Sequence, residues 1–556
     1  MKKVWAAVRY PLLLVAVVGL SLLLFAGMYR WDNKYAPAVQ PAGQGGVLRL
    51  DMAAYDEKPL LFLVRGWAYY HGQFLTPEQV AAAVPTDTVY IGQYAGFDRG
   101  DAAASPHGQG TWRLTIFCDG TERDYALELP EIYSAYHLWV NGVLKKVEGF
   151  AADGQYTPGT AHSMVTFSAA DKIDIVVAVR DDTHFYSGMV YPPAFGSVQE
   201  VLELVSLRLL LHASACGIAL VIALLCLFFG FRERRSAFPI LALGCLCVIA
   251  TTGYPLVHML GLGGEGWYDI ERMGTYTFLF AVIWMAGRLC GTKPAVYRTA
   301  MALAGAVALS IPMYRHWVLP NVQAAGSLYV YSSALGLWKW AVALYLFATI
   351  GWAVWRRHKH AAALLAGACV VATALVADRL FPRFEPVVTG WFGEVAAFIF
   401  VLVITGVLCA DALRTYRENR QLEARAGLDA LQLEGYRQQQ AMQAVYVEET
   451  RRLTHDTKRS YLALRQQLED GQLDALRAGL DAQLGALDVA HSQPITEHRL
   501  LNAILARFLQ RAEAAGVPVA CQVQVPAELR IDDADLARLC GNILDNALEA
   551  AQQVPA

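Results

Sequence analysis

The sequence has few charged residues and no excess of either sign. Only 17% of its 556 residues are charged, 55% are hydrophobic, and the formal net charge is −3. Soluble globular proteins are about one-quarter charged, so this composition argues against a purely soluble protein. Intrinsic disorder is excluded because so apolar a chain would collapse. The basic excess typical of nucleic-acid-binding proteins is absent, and at this length several domains are expected.

The ten cysteines do not form a disulfide framework. Seven of them lie in apolar runs, and Cys521 and Cys540 lie near the C-terminus. Only Cys118 falls in the stretch that we expect outside the membrane, so an intrachain bridge there would have no second cysteine.

Long apolar runs are frequent. The first covers residues 4–28 and is long enough to span a bilayer, so we interpret residues 1–29 as an anchor, although Ala26-Gly27 leaves a cleaved signal peptide open. Seven more lie within residues 204–411, at 205–231, 237–260, 270–290, 297–319, 328–355, 361–381 and 391–411. Every second connection is basic. The eight runs predict eight transmembrane helices, arranged as one plus seven. The positive-inside rule then predicts that both termini are cytoplasmic and that residues 30–200 are outside. Ionisable side chains in or near these runs are functional candidates: His212, Lys339, Asp378, Arg379 and Glu394.

Residues 30–200 contain several short stretches with the pattern of β-strands. Residues 111–119, 125–129, 136–140 and 173–179 are rich in β-branched and aromatic side chains. Asn141-Gly142 is typical of a type I′ hairpin turn. We therefore expect an all-β sandwich or jelly roll. Its tryptophans, Trp67, Trp112 and Trp139, fit a sandwich core better than a sugar-binding platform.

The amino-acid sequence of this region is similar to that of a known receptor family. RGWAYY at 65–70, YALELP at 125–130 and SAYHLWVNG at 134–142 resemble the extracellular jelly-roll sensor of bacterial seven-transmembrane receptors with diverse intracellular signalling modules. The resemblance implies a location in the bacterial cell membrane, contact with membrane lipid, and an extracellular small-molecule or carbohydrate ligand.

Residues 412–490 have the composition of long helices. Residues 413–468 contain no proline and almost no glycine, which predicts a helix that continues out of the last span. A turn at 469–472 and a leucine repeat at 473–487 predict a second, shorter helix. The simplest way to bury the apolar stripes of both helices is a homodimer in which they form a four-helix bundle.

His455 is a candidate nucleophile on the first of these helices. The apolar seam here consists of Leu453, Tyr461, Leu464 and Leu468 and occupies one side of the helix. His455 lies on the opposite side and should face solvent, and the adjacent Asp456 can accept its proton. The alternative is a solvated histidine on a charged face.

A second amphipathic helix carries a pair of asparagines. In NILDNALEA, residues 542–550, Asn542 and Asn546 are one turn apart and share a face, where they could hold a Mg²⁺ ion that bridges nucleotide phosphates. Before it, the pattern predicts a helix at 500–515 and a strand at 517–525, the start of an α/β nucleotide-binding layer at 491–556.

Together these motifs resemble a sensor histidine kinase with a GHKL-type ATPase domain. The match to the family's N box is specific, and the similarity covers roughly residues 440–556. It implies that His455 is the phosphoacceptor, Asp456 its acid–base partner, Asn546 the Mg²⁺ ligand and Asn542 the second N-box asparagine. The implied cofactors are ATP and Mg²⁺, and the implied partner is a response regulator whose aspartate receives the phosphoryl group. His491 and His498 lie outside the pattern and are expected to be structural.

Two departures qualify the resemblance. Many relatives carry His or Asn four and five positions after the phosphoacceptor, where this chain has Arg459 and Ser460, which weakens any expectation of phosphatase activity. The family's Asp-x-Gly-x-Gly box and glycine-rich lid do not occur in residues 440–556. As written, the chain is expected not to hydrolyse ATP, either as a fragment of a longer kinase or as a silent, truncated form.

The sequence also bears on three other classes of function. The first alternative is a non-enzymatic dimeric receptor or decoy that binds partner kinases or regulators and keeps His455 as an acceptor in trans. A transporter is disfavoured because the membrane halves show no repeat. A cyclic-dinucleotide synthase is disfavoured because its Gly-Gly-acidic-acidic-Phe loop is absent.

Overall fold

The structure is a computed structural model in two compact units. It describes residues 2–36, 43–101, 103–150, 156–157, 162–183, 188–233, 237–262, 264–289, 293–318, 326–356, 361–488, 495–526, 529 and 531–553. The units are Met1–Glu418 and Asn419–Ala556. His491, which is expected to be structural, lies outside the described residues.

The polar part of the first unit is a two-sheet β sandwich. Its strands are Val47–Arg49 (β1), Leu60–Phe62 (β2), Trp67–His71 (β3), Asp87–Val89 (β4), Gly108–Phe117 (β5), Arg123–Leu129 (β6), Ala135–Val140 (β7), Val143–Glu148 (β8), Ser163–Ala169 (β9), Lys172–Asp181 (β10) and Ala194–Ser197 (β11). One sheet has the order β4-β3-β5-β10-β7-β8, with β1 parallel to β5, and the other has the order β2-β11-β6-β9. The expected strands at 111–119, 125–129, 136–140 and 173–179 are confirmed within one to three residues at their ends.

Strand alternation builds the core of the sandwich. Along β10, Ile175 and Val177 face the core between the sheets, whereas Val176 and Ala178 pack in a second cluster on the other face. Trp67 is fully buried and its indole N–H donates to the Leu63 carbonyl oxygen at 2.9 Å. All three tryptophans are buried: Trp67 and Trp112 lie in the core between the sheets, as expected, whereas Trp139 lies in the second cluster on the other face.

The predicted hairpin turn is also confirmed. Strands β7 and β8 are joined by Asn141 and Gly142, whose φ angles are 50° and 76°. A type I′ turn needs positive φ at both central residues, and Asn-Gly is the pair that tolerates this best. The turn therefore fixes the register in which Val140 pairs with Val143.

The apolar runs of the first unit are helical. The helices of the chain up to residue 469 are Lys2–Trp31 (α1), Met52–Glu57 (α2), Pro77–Ala82 (α3), Val198–Glu233 (α4), Ala237–Thr252 (α5), Tyr254–Met259 (α6), Glu265–Leu289 (α7), Pro294–Met313 (α8), Gly326–Trp355 (α9), Ala361–Leu380 (α10) and Phe392–Glu469 (α11). A π-helical turn at Tyr314–Val318 extends α8. Five of these helices are long and apolar enough to cross a membrane: α1, α4, α8, α9 and α11.

The run at 237–260 is divided into two helices. Helix α5 has 16 residues and ends at Thr252, and α6 begins one residue later, after Gly253. Pro255 in the first turn of α6 has no backbone N–H and would clash with the preceding turn of a continuous helix, so the chain breaks before it. This break directs α6 towards the sandwich, where Tyr254 joins a tyrosine cluster.

All the regular secondary structure described in the second unit is helical. Beyond the end of α11 it contains Leu473–Asp488 (α12), Arg499–Ala514 (α13) and Asp533–Gln553 (α14). Among the described residues of this unit there is no strand, and residues 517–526 have no regular secondary structure. The expected strand at 517–525, and with it the α/β layer, is therefore not formed in the described chain. A strand needs a hydrogen-bonded neighbour, and its alternating pattern alone does not provide one.

Candidate functional site

The candidate phosphoacceptor lies on helix α11. This helix runs for 78 residues, and its N-terminal part is apolar whereas the part after residue 412 is rich in Arg, Gln, Glu, Ala and Leu. These residues lose little conformational freedom in a helix, which explains the absence of a break. Gly471, with φ of 71°, turns the chain into α12, and a Cβ atom built on Gly479 would lie 2.9 Å from Leu464 Cδ2. The end of α11 and the start of α12 thus form a helical hairpin.

The side chains of His455 and Asp456 are exposed on α11, on the side opposite the apolar seam. Their side chains are 72% and 63% exposed, and His455 Nδ1 is 3.6 Å from Asp456 Oδ1. At this distance the two side chains are neighbours without a formed hydrogen bond. This geometry leaves Nε2 as the ring nitrogen that faces away from the carboxylate. The arrangement allows Asp456 to draw the proton of Nδ1 while Nε2 attacks an electrophile.

The apolar seam of α11 is solvent-exposed in the single chain. Leu453 and Tyr461 are 64% and 62% exposed, and Leu468 is exposed as well, whereas Leu464 is partly covered by the hairpin. A row of large apolar side chains on a helix is typical of a surface that packs against another helix.

Asn542 and Asn546 are both exposed on one face of α14. The opposite face of α14 packs on α13 through buried Leu536 and Leu548. An ion pair between Arg511 on α13 and Asp545 on α14 ties the two helices together at their surface. His498 caps α13, since its Nδ1 accepts the Leu501 N–H at 3.4 Å, so its expected structural role is confirmed.

The two asparagines provide only part of a nucleotide site. Their amide oxygens could supply two of the about six ligands that Mg²⁺ requires. Within the described residues no strand or glycine-rich loop faces them, so the donor set does not fit a bound ATP–Mg²⁺ by itself. Among the described residues, no hydrogen bond or ion pair joins His455 to Asn542 or Asn546.

A second site, absent from the sequence-based expectations, is a cavity of about 460 Å³ in the first unit. It lies where the β sandwich meets the helices. Lys34, which follows α1, forms a 2.5 Å ion pair with Glu385 in the connection between α10 and α11. Arg208 on α4 forms an ion pair with Glu128 on β6, which His162 Nε2 also contacts at 2.8 Å. These pairs join the sandwich to the helix ends.

Burial and neighbouring charges shift the pKa values of two carboxyl groups at this joint in opposite directions. Burial by itself would raise the pKa of Glu128, but the Arg208 guanidinium and the His162 ring outweigh it, so the pKa lies well below its usual range. For Glu385, burial outweighs the opposing charge of Lys34 and raises the pKa. Ionised Glu128 therefore holds Arg208 in place at any pH near neutrality.

The helix ends at this joint lie on the side of the sandwich. Asp32, directly after α1, accepts the backbone N–H groups of Val388 and Thr389 at 2.9 and 3.1 Å. Tyr254 on α6 and Tyr268 on α7 belong to the same cluster as Tyr133 of the sandwich. The end of α1, the starts of α4, α6 and α7, and the connection after α10 therefore all meet the sandwich.

Sequence reasoning identified only part of the cavity. His212, Lys339, Asp378 and Glu394 line it and stand out in the sequence because they interrupt apolar runs. Lys34, Glu128, Glu131 and Glu385 also line it, but they lie in polar segments where a charged residue carries no signal. Arg379, the fifth sequence candidate, is not part of the lining.

Comparisons with known proteins add no identification. No protein-family model and no curated protein matches the sequence. Among solved structures, the chain has matches to a Faecalibacterium prausnitzii β-glucuronidase (14% identity, 25% of this chain and 32% of that chain, TM-score 0.19), an Eisenbergiella tayi GH2 β-galacturonidase bound to galacturonate (13%, 25% and 24%, 0.18) and a Ruminococcus gnavus β-glucuronidase (10%, 25% and 28%, 0.17). The matched region spans a third or less of each enzyme, and at these TM-scores the likeness carries no argument about fold or activity.

Proposed function

We propose that this chain is the sensor and phosphoacceptor part of a membrane-bound histidine kinase of a two-component system. The observation that carries the proposal is the exposed His455–Asp456 pair on a helix that continues unbroken from an apolar segment. A signal received by the sandwich would reach His455 along α11, which begins in the first unit at Phe392. The sequence resemblance to histidine kinases supports the same assignment.

The chemistry proposed for His455 is phosphoryl transfer to nitrogen. His455 Nε2 forms a bond to the γ-phosphorus of ATP held by a kinase catalytic domain, the bond from that phosphorus to the ADP oxygen breaks, and Asp456 takes the proton from Nδ1. The phosphoryl group then passes to an aspartate of a response regulator, the bond from Nε2 to phosphorus breaks, and Asp456 returns the proton to Nδ1, which regenerates neutral histidine. In this chain Asn542 and Asn546 are the residues proposed to contact Mg²⁺ when the nucleotide site is complete.

One labelling experiment tests whether the chain accepts a phosphoryl group and whether it needs a separate catalytic domain to do so. A non-enzymatic receptor or decoy is favoured by the incomplete set of ATP ligands in the described residues. Incubation with labelled ATP should give no phosphate on the chain alone and an acid-labile phosphate when a complete histidine-kinase catalytic domain is added in trans. Labelling of the chain alone would favour a self-sufficient kinase. No labelling in either case would contradict the role of His455 as an acceptor, which the receptor alternative shares.

We further propose eight membrane spans with residues 30–200 outside and residues from 412 onward in the cytoplasm of a bacterial cell. Five helices meet the length and hydropathy of a span, and α5, α7 and α10 coincide with the other three apolar runs. The alternation of basic connections and the gathering of helix ends at the sandwich support this topology.

Labelling of introduced cysteines tests the topology. Val84 in the sandwich is 82% exposed and Tyr436 on α11 is 67% exposed. With a membrane-impermeant maleimide on intact cells, Val84→Cys should be labelled and Tyr436→Cys should be labelled only after permeabilisation. The parent chain measures the background of the native cysteines. Labelling of Tyr436→Cys in intact cells, at the level of Val84→Cys, would refute the topology.

We also propose that the α11–α12 hairpin forms a homodimer through the seam of Leu453, Tyr461, Leu464 and Leu468. Burial of a leucine contributes about 1.5–3 kcal/mol, so Leu453→Arg should weaken dimerisation by about tenfold or more. The measurement is energy transfer between labelled full-length chains in detergent on dilution. Arg459→Glu, on the opposite side of the helix, is the control and should leave the dimer intact. Equal dimerisation of both variants would mean that the seam is not the interface.

A further inference from the structure

The cavity at the joint has one wall of aromatic rings. Tyr133, Tyr191, Tyr254 and Tyr268 come from four different segments and pack edge to face: the ring centroids of Tyr133 and Tyr268 are 5.7 Å apart, and those of Tyr133 and Tyr191 are 6.2 Å apart. All four line the cavity. Two guanidinium groups, those of Arg272 and Arg315, already lie over the Tyr268 ring at 5.0 and 5.5 Å from its centroid. Tyr268 thus already has two cations, and the other three tyrosines carry the ring faces on which a further cation could lie.

The same cavity contains more carboxylates than lysine and arginine side chains. Six carboxylates line it, and they face four such cations. Four of the carboxylates form ion pairs: Glu128, Glu271, Asp378 and Glu385. The other two, Glu131 and Glu394, form none within the described part of the chain. Glu131 accepts the Tyr133 hydroxyl at 3.1 Å, and Glu394 accepts the Trp391 N–H at 3.1 Å, so each has only a neutral partner.

Three deeply buried side chains in the lining have an unpartnered polar atom. His212 Nδ1, the Tyr254 hydroxyl and Glu385 Oε2 have no hydrogen-bond partner among the described residues, and the three residues are 6%, 8% and 6% exposed. Buried polar atoms are almost always satisfied in native proteins, so three in one cavity point to a ligand with polar groups of its own. At about 460 Å³ the cavity also has the size of small-molecule sites.

We propose that this cavity binds an organic cation, a molecule with a protonated amine or a quaternary ammonium group, whose charge lies between Glu131, Glu394 and the tyrosine cluster. Aromatic rings and unpaired carboxylates are the groups that recognise ammonium ions in proteins. The polar remainder of the ligand contacts the unpartnered atoms of His212 and Glu385. Glu394 is in the first turn of α11, the helix that carries His455, so occupancy would act on that helix. Only this last consequence rests on the proposed kinase function.

Protonation of Glu131 makes the binding depend on pH. Burial, with the charge of Glu271 adding to it, raises the pKa of Glu131 to about 8. Below that pH the carboxyl is neutral, and a cation prefers the ionised form, so binding releases a proton and affinity increases from pH 6 to pH 9. The charged and titratable groups that act on Glu131 from the surrounding segments are Tyr133, Tyr254, Glu271, Lys34 and Glu385.

Calorimetry on the full-length chain in phosphatidylglycerol nanodiscs tests the proposal with three probes. Choline and putrescine are the cations, and 3,3-dimethylbutan-1-ol is a neutral molecule of the shape of choline. At least one cation should bind, and the neutral alcohol should bind at least tenfold more weakly than choline where choline is the ligand. Failure of both cations to bind, or equal binding of the alcohol and choline, would overturn the proposal. Binding is measured without phosphorylation, so its failure is distinct from failure of the kinase assignment.

Variants locate the site. Glu131→Gln and Glu394→Gln should each lower the affinity for the bound cation at pH 8 at least tenfold, and Glu131→Gln should also flatten the rise in affinity between pH 6 and pH 9. Glu122→Gln, in an exposed turn of the sandwich, is the matched control and should bind as the wild type does. Thermal unfolding confirms that each variant is folded. Wild-type affinity and pH dependence in both cavity variants would refute the site.

The ammonium group could belong to a free solute or to a lipid headgroup. Nanodiscs that contain phosphatidylcholine distinguish these sources. A Glu131-dependent fall in the apparent affinity for choline in such discs would assign the site to the lipid headgroup. Unchanged affinity would assign it to a soluble amine. Both results support recognition of an organic cation.

Discussion

Replacement of His455 by glutamine should abolish phosphorylation of the chain by a histidine-kinase catalytic domain supplied with ATP. Glutamine keeps the helix, because it is a good helix former on an exposed face, but it has no ring nitrogen that can attack phosphorus. The His455 side chain is 72% exposed, so the change acts on chemistry and removes little packing. The measurement is acid-labile, alkali-stable phosphate on the full-length chain.

Two further variants sharpen this prediction. Asp456→Asn should retain the acceptor but lower the rate about 100-fold, since asparagine accepts no proton from Nδ1. Glu449→Gln, an exposed change nearly two turns earlier on α11, should be labelled like the wild type. Undiminished labelling of His455→Gln would place the acceptor elsewhere. An Asp456→Asn variant at the wild-type rate would show that the neighbouring carboxylate has no part in the transfer.

Replacement of Lys34 by methionine should be the most destabilising single change at the joint. Lys34 and Glu385 are both buried, with side chains 5% and 8% exposed, and the ion pair lies between segments about 350 positions apart. Removal of one partner leaves a buried carboxylate without its cation, which typically costs about 3–5 kcal/mol. The loss should be visible as a lower free energy of unfolding of the first unit in detergent.

The double variant is the control for this prediction. Lys34→Met with Glu385→Leu removes both charges, and apolar replacement of a buried pair is often nearly neutral, so most of the stability should return. Lys172→Met changes an exposed lysine of the sandwich and should have little effect. If Lys34→Met costs no more than Lys172→Met, the pair is not a structural connection between the sandwich and the helices.

Local patterns in the sequence predicted local structure well. Asn141-Gly142 determines a turn by its own backbone preferences, and the apolar, proline-free composition of α11 determines a helix, so neither depends on distant contacts. The strand expected at 517–525 depends on a neighbouring strand to pair with, and the described residues of its unit provide none. For the same reason the partial α/β nucleotide layer was not obtained.

The cavity could not be predicted because it is made entirely of long-range contacts. Lys34 meets Glu385, and Glu128 meets Arg208, only after the sandwich has packed on the helix ends. Nothing in the neighbourhood of Glu131 along the sequence indicates that it lacks a cation. His212 and Glu394 were noticed because a charged or polar group in an apolar run is conspicuous, but their common cavity appears only in the fold.

The most direct test of the account is to locate the phosphate. The full-length chain is phosphorylated in nanodiscs by a complete histidine-kinase catalytic domain and ATP, and the modified residue is identified by mass spectrometry at neutral pH, where phosphohistidine survives. The account predicts one phosphoryl group, on a ring nitrogen of His455. Phosphate on any other residue would contradict it. So would the absence of phosphate from residues 413–490 under conditions in which the same catalytic domain phosphorylates the histidine-containing helices of its own kinase.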